Sequence, residues 1–371
     1  MKPGQKRIVI ASVLKPLDDT RMFEKMGASL ADSGRYALFI IGYPVTHEIK
    51  YPNTTFLPLQ KFKRISFGRL FASFSVLKKT LKVKPEVLII NSHELLLVAV
   101  LNRILFGTRI IYDVRENYFR NLLHTKSFPS VLKVVLAIWV RVKEKLYAPL
   151  FNWFFLAEKG YEKEMTFFTT RYTILENKAM VPADFIKSAK NPDVTRLLFS
   201  GTLAETTGVF QAIQLTHQLH QSEPEITLKI IGYCAQLKTL HRIKEAIGDA
   251  SYIQLIGGDH LVPHHQIMRA IGESDFGIIC YPPSLHTQNS IPTKLYEYLA
   301  CGLPVLIQNH RPWIELSLPI QAAISVDFNR PNISEILQKM KDENFYLGTP
   351  ENVTWKEESV KLLQVLEKEI L

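Results

Sequence analysis

Two α/β domains, each built on a doubly wound parallel sheet, are the fold that this sequence predicts, and three observations predict it. Short apolar runs alternate with amphipathic stretches of helical period along the chain, the pattern of successive βα units. The chain has 371 residues, more than a single hydrophobic core usually serves. The alternation fails between Glu176 and Pro192, where Asn177, Pro182, Asp184, Asn191 and Pro192 break both periods, so a linker falls there.

In the first half, strands are expected over 7–13, 37–41, 86–90, 109–113 and 153–156. Helices between them are expected over 21–33, stopped near Gly34; over 67–82, with Leu70, Phe71, Phe74, Leu77 and Leu81 at helical spacing; and over 94–106, before Gly107. After the linker the expected order is strand 196–200, helix 208–220, strand 227–231, helix 235–247, strand 252–256, helix 263–272 and strand 276–280. A helix over 293–301 follows, entered through Pro292 and stopped by Gly302, and then an apolar strand from Pro304. The segment 355–370 is amphipathic and follows a break holding Gly348, Pro350 and Asn352; it could cross back to the first domain. The expected division is 1–185, 193–350 and a crossing helix in 351–371.

Composition narrows the function. Hydrophobic residues make up 47% and charged residues 22%, ordinary for a globular chain. The longest apolar run, near 134–140, is far below the ~20 residues of a spanning helix. The first residues lead straight into a strand, with no secretory leader pattern. Cys234, Cys280 and Cys301 have neither metal spacing nor a disulfide framework, which points to a reducing compartment and a cytoplasmic protein. The net charge of +10 is uneven: residues 1–190 carry 31 Lys and Arg against 15 Asp and Glu, while the remainder carries 14 against 20. A basic first half suits nucleic acid, an anionic membrane surface or an acidic substrate. Nucleic acid is disfavoured, because no zinc-finger spacing, RNA-binding sheet motif or basic low-complexity tail is present. Lys61, Lys63, Arg64, Arg69, Lys78, Lys79, Lys82 and Lys84 surround the apolar stripe of the helix at 67–82, so peripheral contact with the inner face of a membrane is expected there.

The segment Ser290-Ile291-Pro292-Thr293-Lys294-Leu295-Tyr296-Glu297 concentrates the site chemistry. The unpaired N–H groups and dipole of a helix start favour an anion, and Lys294 adds a cation in the first turn. Glu297, four residues after Thr293 on the same face, could accept hydrogen bonds from two neighbouring hydroxyls, an arrangement suited to a nucleoside diphosphate. The loop Ser200-Gly201-Thr202-Leu203-Ala204-Glu205-Thr206-Thr207-Gly208 follows the first strand of the second domain, where ligands bind in such sheets; Gly232 ends the next strand. In the first half Arg21, His93, Asp113, Arg115 and Glu116 stand at strand ends or helix starts; each could equally serve in an ion pair or a cap. Adjacent His264 and His265 read as a surface turn, since neighbouring histidines on a helix diverge.

Together, the Gly201-Thr202-Leu203 loop with Gly208, the Ile230-Ile231-Gly232 strand end, the block from Pro292 to Val305, the closing helix after Trp355, Asp19-Thr20-Arg21 and Ile111-Tyr112-Asp113-Val114-Arg115-Glu116-Asn117 resemble the retaining glycosyltransferases of family 4. The resemblance spans nearly the whole chain. It implies a GT-B fold of two facing Rossmann-like domains, with a nucleotide-diphosphate sugar as donor and a glycan or lipid-linked acceptor, in polysaccharide or glycolipid synthesis. It also implies that Glu297 binds the donor ribose as the second acid of a Glu-x7-Glu motif.

The sequence departs from the family pattern in three places. Asn289 stands where the first acid of that motif would be, Thr202 and Thr207 stand where a basic pair would grip the diphosphate, and Arg115 stands where many relatives have His. Lys294 and the helix start, or Arg21 and Arg115 from the first domain, could supply the missing positive charge. In a retaining transfer without a protein nucleophile, the leaving diphosphate itself can take the acceptor's proton, so positioning and charge stabilisation suffice. Neither Asp-x-Asp nor a His/Cys cluster occurs, so no metal or other cofactor is expected. The catalytic candidates are thus Asn289, Arg115 and Asp113; the donor-binding candidates are Gly201, Thr202, Thr207, Gly232, Ser290, Thr293, Lys294 and Glu297. Two other readings fit the same pattern: a nucleotide-sugar epimerase of this fold, and a non-catalytic binding protein on a degenerate transferase fold.

Overall fold

The computed structural model describes residues 5–62, 67–124, 129–189, 191, 193–283, 290–342, 344–348 and 350–371. The chain divides into two units, Met1–Asn177 with Trp355–Leu371, and Lys178–Thr354. Residues 178–185, expected with the first domain, therefore belong to the second. Their neighbourhood anchors there, with Ala179 N–H donating to Val353 O at 2.9 Å and Ser188 N–H to Gly272 O at 2.8 Å.

Unit 1 holds a seven-stranded sheet made of β1 (Lys6–Pro16), β2 (Tyr36–Tyr43), β3 (Thr54–Pro58), β4 (Val87–Ile90), β5 (Arg109–Val114), β6 (Trp153–Leu156) and β7 (Tyr172–Ile174), in the order β3-β2-β1-β4-β5-β6-β7. Every pairing is parallel. Apolar runs such as Ile8-Val9-Ile10 and Leu88-Ile89-Ile90 are fully buried because helices cover both sheet faces. Short β3 and β7, which the sequence reading omits, are the edge strands; Pro58 is tolerated at such an edge. The closing helix Trp355–Val365 packs on this unit, Trp355 Nε1 donating to Ser29 Oγ at 2.9 Å and Glu358 accepting from Glu176 N–H at 3.1 Å.

Unit 2 holds six parallel strands, β8 (Thr195–Thr202), β9 (Ile226–Tyr233), β10 (Ile253–Gly258), β11 (Phe276–Ile279), β12 (Val305–Gln308) and β13 (Ala323–Val326), in the order β10-β9-β8-β11-β12-β13. This is a doubly wound order whose chain direction reverses between β8 and β11. In such sheets the crevice at that switch point, beyond the carboxyl ends of the strands, is where ligands bind. The turn after β8 and the start of the helix Thr293–Ala300 lie there. Cys234, Cys280 and Cys301 are buried free thiols. Among the described residues no helix is long and apolar enough to cross a membrane.

Candidate nucleotide-binding site

Glycine shapes the floor of the unit 2 crevice. Gly201, Gly232 and Gly257 lie in register at the ends of β8, β9 and β10. A Cβ on Gly232 would stand 1.7 Å from Gly201 O, and one on Gly257 would stand 2.4 Å from Gly232 O, so the three strand ends meet more closely than side chains allow. Gly257 is absent from the sequence-level candidates; its signal is the Gly-Gly pair that ends an apolar strand. Gly208, with φ +84°, ties the turn after β8 to the end of β11, for its Cβ would lie 2.1 Å from Cys280 O. Cys280 Sγ donates to Gly208 O at 3.0 Å, and burial pushes this thiol up to about 12, so it remains protonated.

The helix Thr293–Ala300 starts at Pro292 with no side-chain cap and presents Lys294 and Glu297 from its first two turns. Lys294 is buried, 7% exposed, and its Nζ has no hydrogen-bond partner among the described residues. The ammonium lies 4.2 Å from the ring centre of Phe199 on β8 and 5.0 Å from that of Tyr281, two cation–π contacts that partly replace its hydration. Burial lowers its pKa to about 8, against the pull of Cys280 and Glu297. A Cβ on Gly201 would stand 4.0 Å from Lys294 Cε, so the glycine turn and the lysine face the same space. An ammonium with no hydrogen-bond partner among the described residues, beside a bare glycine turn at a helix start, has the chemistry to receive an anion.

Glu297 is also buried, and its Oε1 is 2.9 Å from His264 Nε2. His264 is thus no surface-turn residue: it opens the helix His264–Glu273 and turns inward while His265 faces solvent. The pair is 33 residues apart in sequence, and only the β10-to-helix crossover brings it together. Beneath it, Tyr298 hydroxyl bonds Ser200 Oγ at 2.8 Å, and Gly277 leaves the space for the Tyr298 ring. Trp313 Nε1 donates to Ser290 O at 2.7 Å and fixes the entry to the helix.

Other expected site residues fall differently. Asn289 lies outside the described residues. Thr202 is exposed, and the Thr207 hydroxyl is spent locally, accepting from Ala204 N–H at 3.1 Å and lying 2.8 Å from Thr202 O, so it stabilises the turn. In unit 1, Arg21 and Asp113 form a buried pair, Nη2 to Oδ1 at 2.7 Å, with Arg21 Nη1 donating to Leu175 O at 2.8 Å. Arg115 pairs with Asp19 at 2.6 and 3.2 Å, and Asp19 also accepts from Met22 N–H. Burial alone would raise the Asp19 carboxyl, but Arg115 holds it below its ordinary range. These four residues tie the helical segment Thr20–Gly27 to the end of β5, which is the ion-pair alternative that the sequence left open for Arg21, Asp113 and Arg115. Glu116 is 3.4 Å from Lys15 Nζ. His93 sits between Lys143 and Glu94, and burial with the nearby cations lowers it to about 4, so it is neutral at physiological pH. Beside it, at the unit 1 switch point, the side chains of Asn91 and Ser92 are buried without hydrogen-bond partners among the described residues, a polar feature the sequence reading passes over. Also among the described residues, no group of three His, Cys, Asp or Glu could hold a metal ion.

Residues 181–342, all within unit 2, match the family model of glycosyl transferases group 1. No curated protein matches the chain. Among solved structures, the chain is similar to sucrose-phosphate synthase from Thermosynechococcus elongatus, at 11% identity and TM-score 0.73 over 98% of each chain. It is also similar to Anabaena Alr3699/HepE, a structure containing UDP and glucose, at 11% identity and TM-score 0.63 over 98% of this chain and 100% of that one. A putative UDP-N-acetylglucosamine 2-epimerase from Listeria monocytogenes is similar at 12% identity and TM-score 0.61, over 98% and 95%. At these identities the likeness shows the fold, the GT-B type with two doubly wound units, and does not separate transferase from epimerase.

Proposed function

We propose that this protein is a glycosyltransferase that moves a sugar from a nucleoside-diphosphate donor to a glycan or lipid-linked acceptor, with retention at the anomeric carbon. The observation that carries the reading is Lys294, a buried ammonium without a hydrogen-bond partner among the described residues, beside the Gly201 turn and at a helix start. It would hold the diphosphate, while Glu297, oriented by His264, would hold the ribose hydroxyls. The group 1 match over the same residues and the UDP in the Anabaena neighbour support a nucleotide donor.

In the reaction the bond from the sugar's anomeric carbon to the β-phosphate oxygen breaks, and the acceptor oxygen bonds to that carbon. The acceptor's proton passes to the departing phosphate oxygen on the same face. Lys294 and the helix dipole stabilise the charge that develops there. No second acid is required, and the described part of unit 2 offers none: its buried carboxylates are Glu297 and Asp275, and Asp275 is bound to Arg196 at 2.9 Å before β11. An epimerase would need an acid–base pair, which weakens that alternative. Glycan or glycolipid synthesis in the cytoplasm, with no metal requirement, is the setting this reading implies.

Calorimetry with UDP, GDP, ADP and their sugar conjugates tests the donor site, with one nucleoside diphosphate expected to bind best. Binding by none would remove both enzymatic readings and favour a non-catalytic protein. Transfer with inversion would remove the retaining mechanism, and loss of activity on chelation would remove the metal-free one.

A further inference from the structure

Three neighbouring helices of unit 1, Phe67–Val83, Leu96–Phe106 and Ser130–Tyr147, turn apolar side chains outward. Phe71, Ile104 and Val131 are 71%, 73% and 79% exposed, and Trp139 is 58% exposed. On the last helix Val131, Val135, Ile138 and Val142 recur at helical spacing along one exposed stripe, the reverse of the usual polar outer face. The same helices carry nine Lys and Arg against one carboxylate, Glu144, which is buried with an oxygen 3.2 Å from Arg141. Aliphatic and aromatic groups within a field of cations, and no exposed acid, make an unusual combination.

We propose that this face docks on the surface of an anionic lipid bilayer, with the apolar side chains entering the headgroup boundary and the lysines meeting lipid phosphates. Charge decides the occupant. A second copy would bring the same excess of cations to the same contact, with Lys78, Lys82 and Lys145 exposed, and like charges oppose a two-fold interface. Nucleic acid would satisfy the lysines and leave Val131, Val135, Ile138 and Ile104 without a partner. A bilayer satisfies both. The sequence shows only the first of the three helices as amphipathic and basic; their juxtaposition, which makes the face broad enough to lie on a membrane, comes from the fold. The proposal is independent of the donor reading.

Flotation of the full chain with vesicles of phosphatidylcholine, with and without phosphatidylglycerol, tests it in the absence of nucleotide. The protein is expected to float with the anionic vesicles at low salt and less at moderate salt. The triple substitution Lys78→Gln/Lys79→Gln/Lys82→Gln is expected to lower partitioning about a hundredfold. Ile138→Ser/Trp139→Ser, at unchanged charge, is expected to lower it about tenfold. Circular dichroism checks that both variants remain folded. For the wild-type protein, lipids brominated along their acyl chains should quench tryptophan fluorescence on binding. The proposal is overturned by absence of flotation at low salt, by binding indifferent to Ile138→Ser/Trp139→Ser, by bound protein without quenching, or by a dimer that those substitutions dissolve.

Discussion

Replacing Lys294 by Met should make unit 2 more stable while removing its grip on a diphosphate. The lysine is buried and its pKa falls from 10.5 to about 8, and a shift of that size corresponds to about 3 kcal/mol of unfavourable burial of the charged form. The contacts with Phe199 and Tyr281 return about 1–2 kcal/mol, so Met, which keeps most of the volume, should gain about 1–2 kcal/mol at pH 7. For a unit of this size that is roughly 2–8 °C in Tm. The sign of the pH dependence follows from the depressed value. Between about pH 8 and 10.5 the unfolded chain holds a proton that the folded chain has released, so wild-type stability rises with pH across that window and the advantage of Met shrinks. Diphosphate affinity should move the other way, level below pH 8 and falling by up to about tenfold per unit above it as the ammonium deprotonates. Chemical denaturation at pH 7 and 10 and calorimetry with nucleoside diphosphates read both effects. A Lys294→Met protein that is less stable at pH 7, or that binds as wild type does, would refute the reasoning.

Glu297→Ala should weaken nucleoside-diphosphate binding by about 2 kcal/mol, the loss of two charged hydrogen bonds, and should weaken binding of the 2′-deoxy analogue less; calorimetry with both ligands checks this. Arg21→Ala should cost unit 1 about 3–5 kcal/mol by leaving Asp113 buried and unpaired, whereas Arg21→Met with Asp113→Leu should restore most of it, as urea denaturation would show. Neither change should alter nucleotide affinity if the pair is an anchor. Gly208→Ala should cost about 3 kcal/mol or more, because φ is +84° and the new Cβ meets Cys280 O, and a thermal melt measures it.

The positions of the buried strands are legible in the sequence because parallel strands covered on both faces read as uninterrupted apolar runs, as in Ile8-Val9-Ile10 and Leu197-Leu198-Phe199, and because the helices between them keep their period; the strand order comes from the fold. Edge strands β3 and β7 escape notice, for half-exposed Thr54-Thr55-Phe56 has no such run. Lys294 and Glu297 are legible since one short helix carries both. His264 and the Arg21–Asp113 lock are not, as their partners lie 33 and 92 residues away and only the crossovers unite them. A cation beside a strand end looks the same in sequence whether it awaits a ligand or is already paired, and burial with a named partner separates Arg115 from Lys294.

A crystal structure with the best-binding nucleoside diphosphate tests the central claim most directly. The account predicts phosphate oxygens within hydrogen-bond distance of Lys294 Nζ and of the helix start at Thr293, with both ribose hydroxyls on Glu297. A nucleotide bound elsewhere, or a ribose beyond the reach of Glu297, would contradict it.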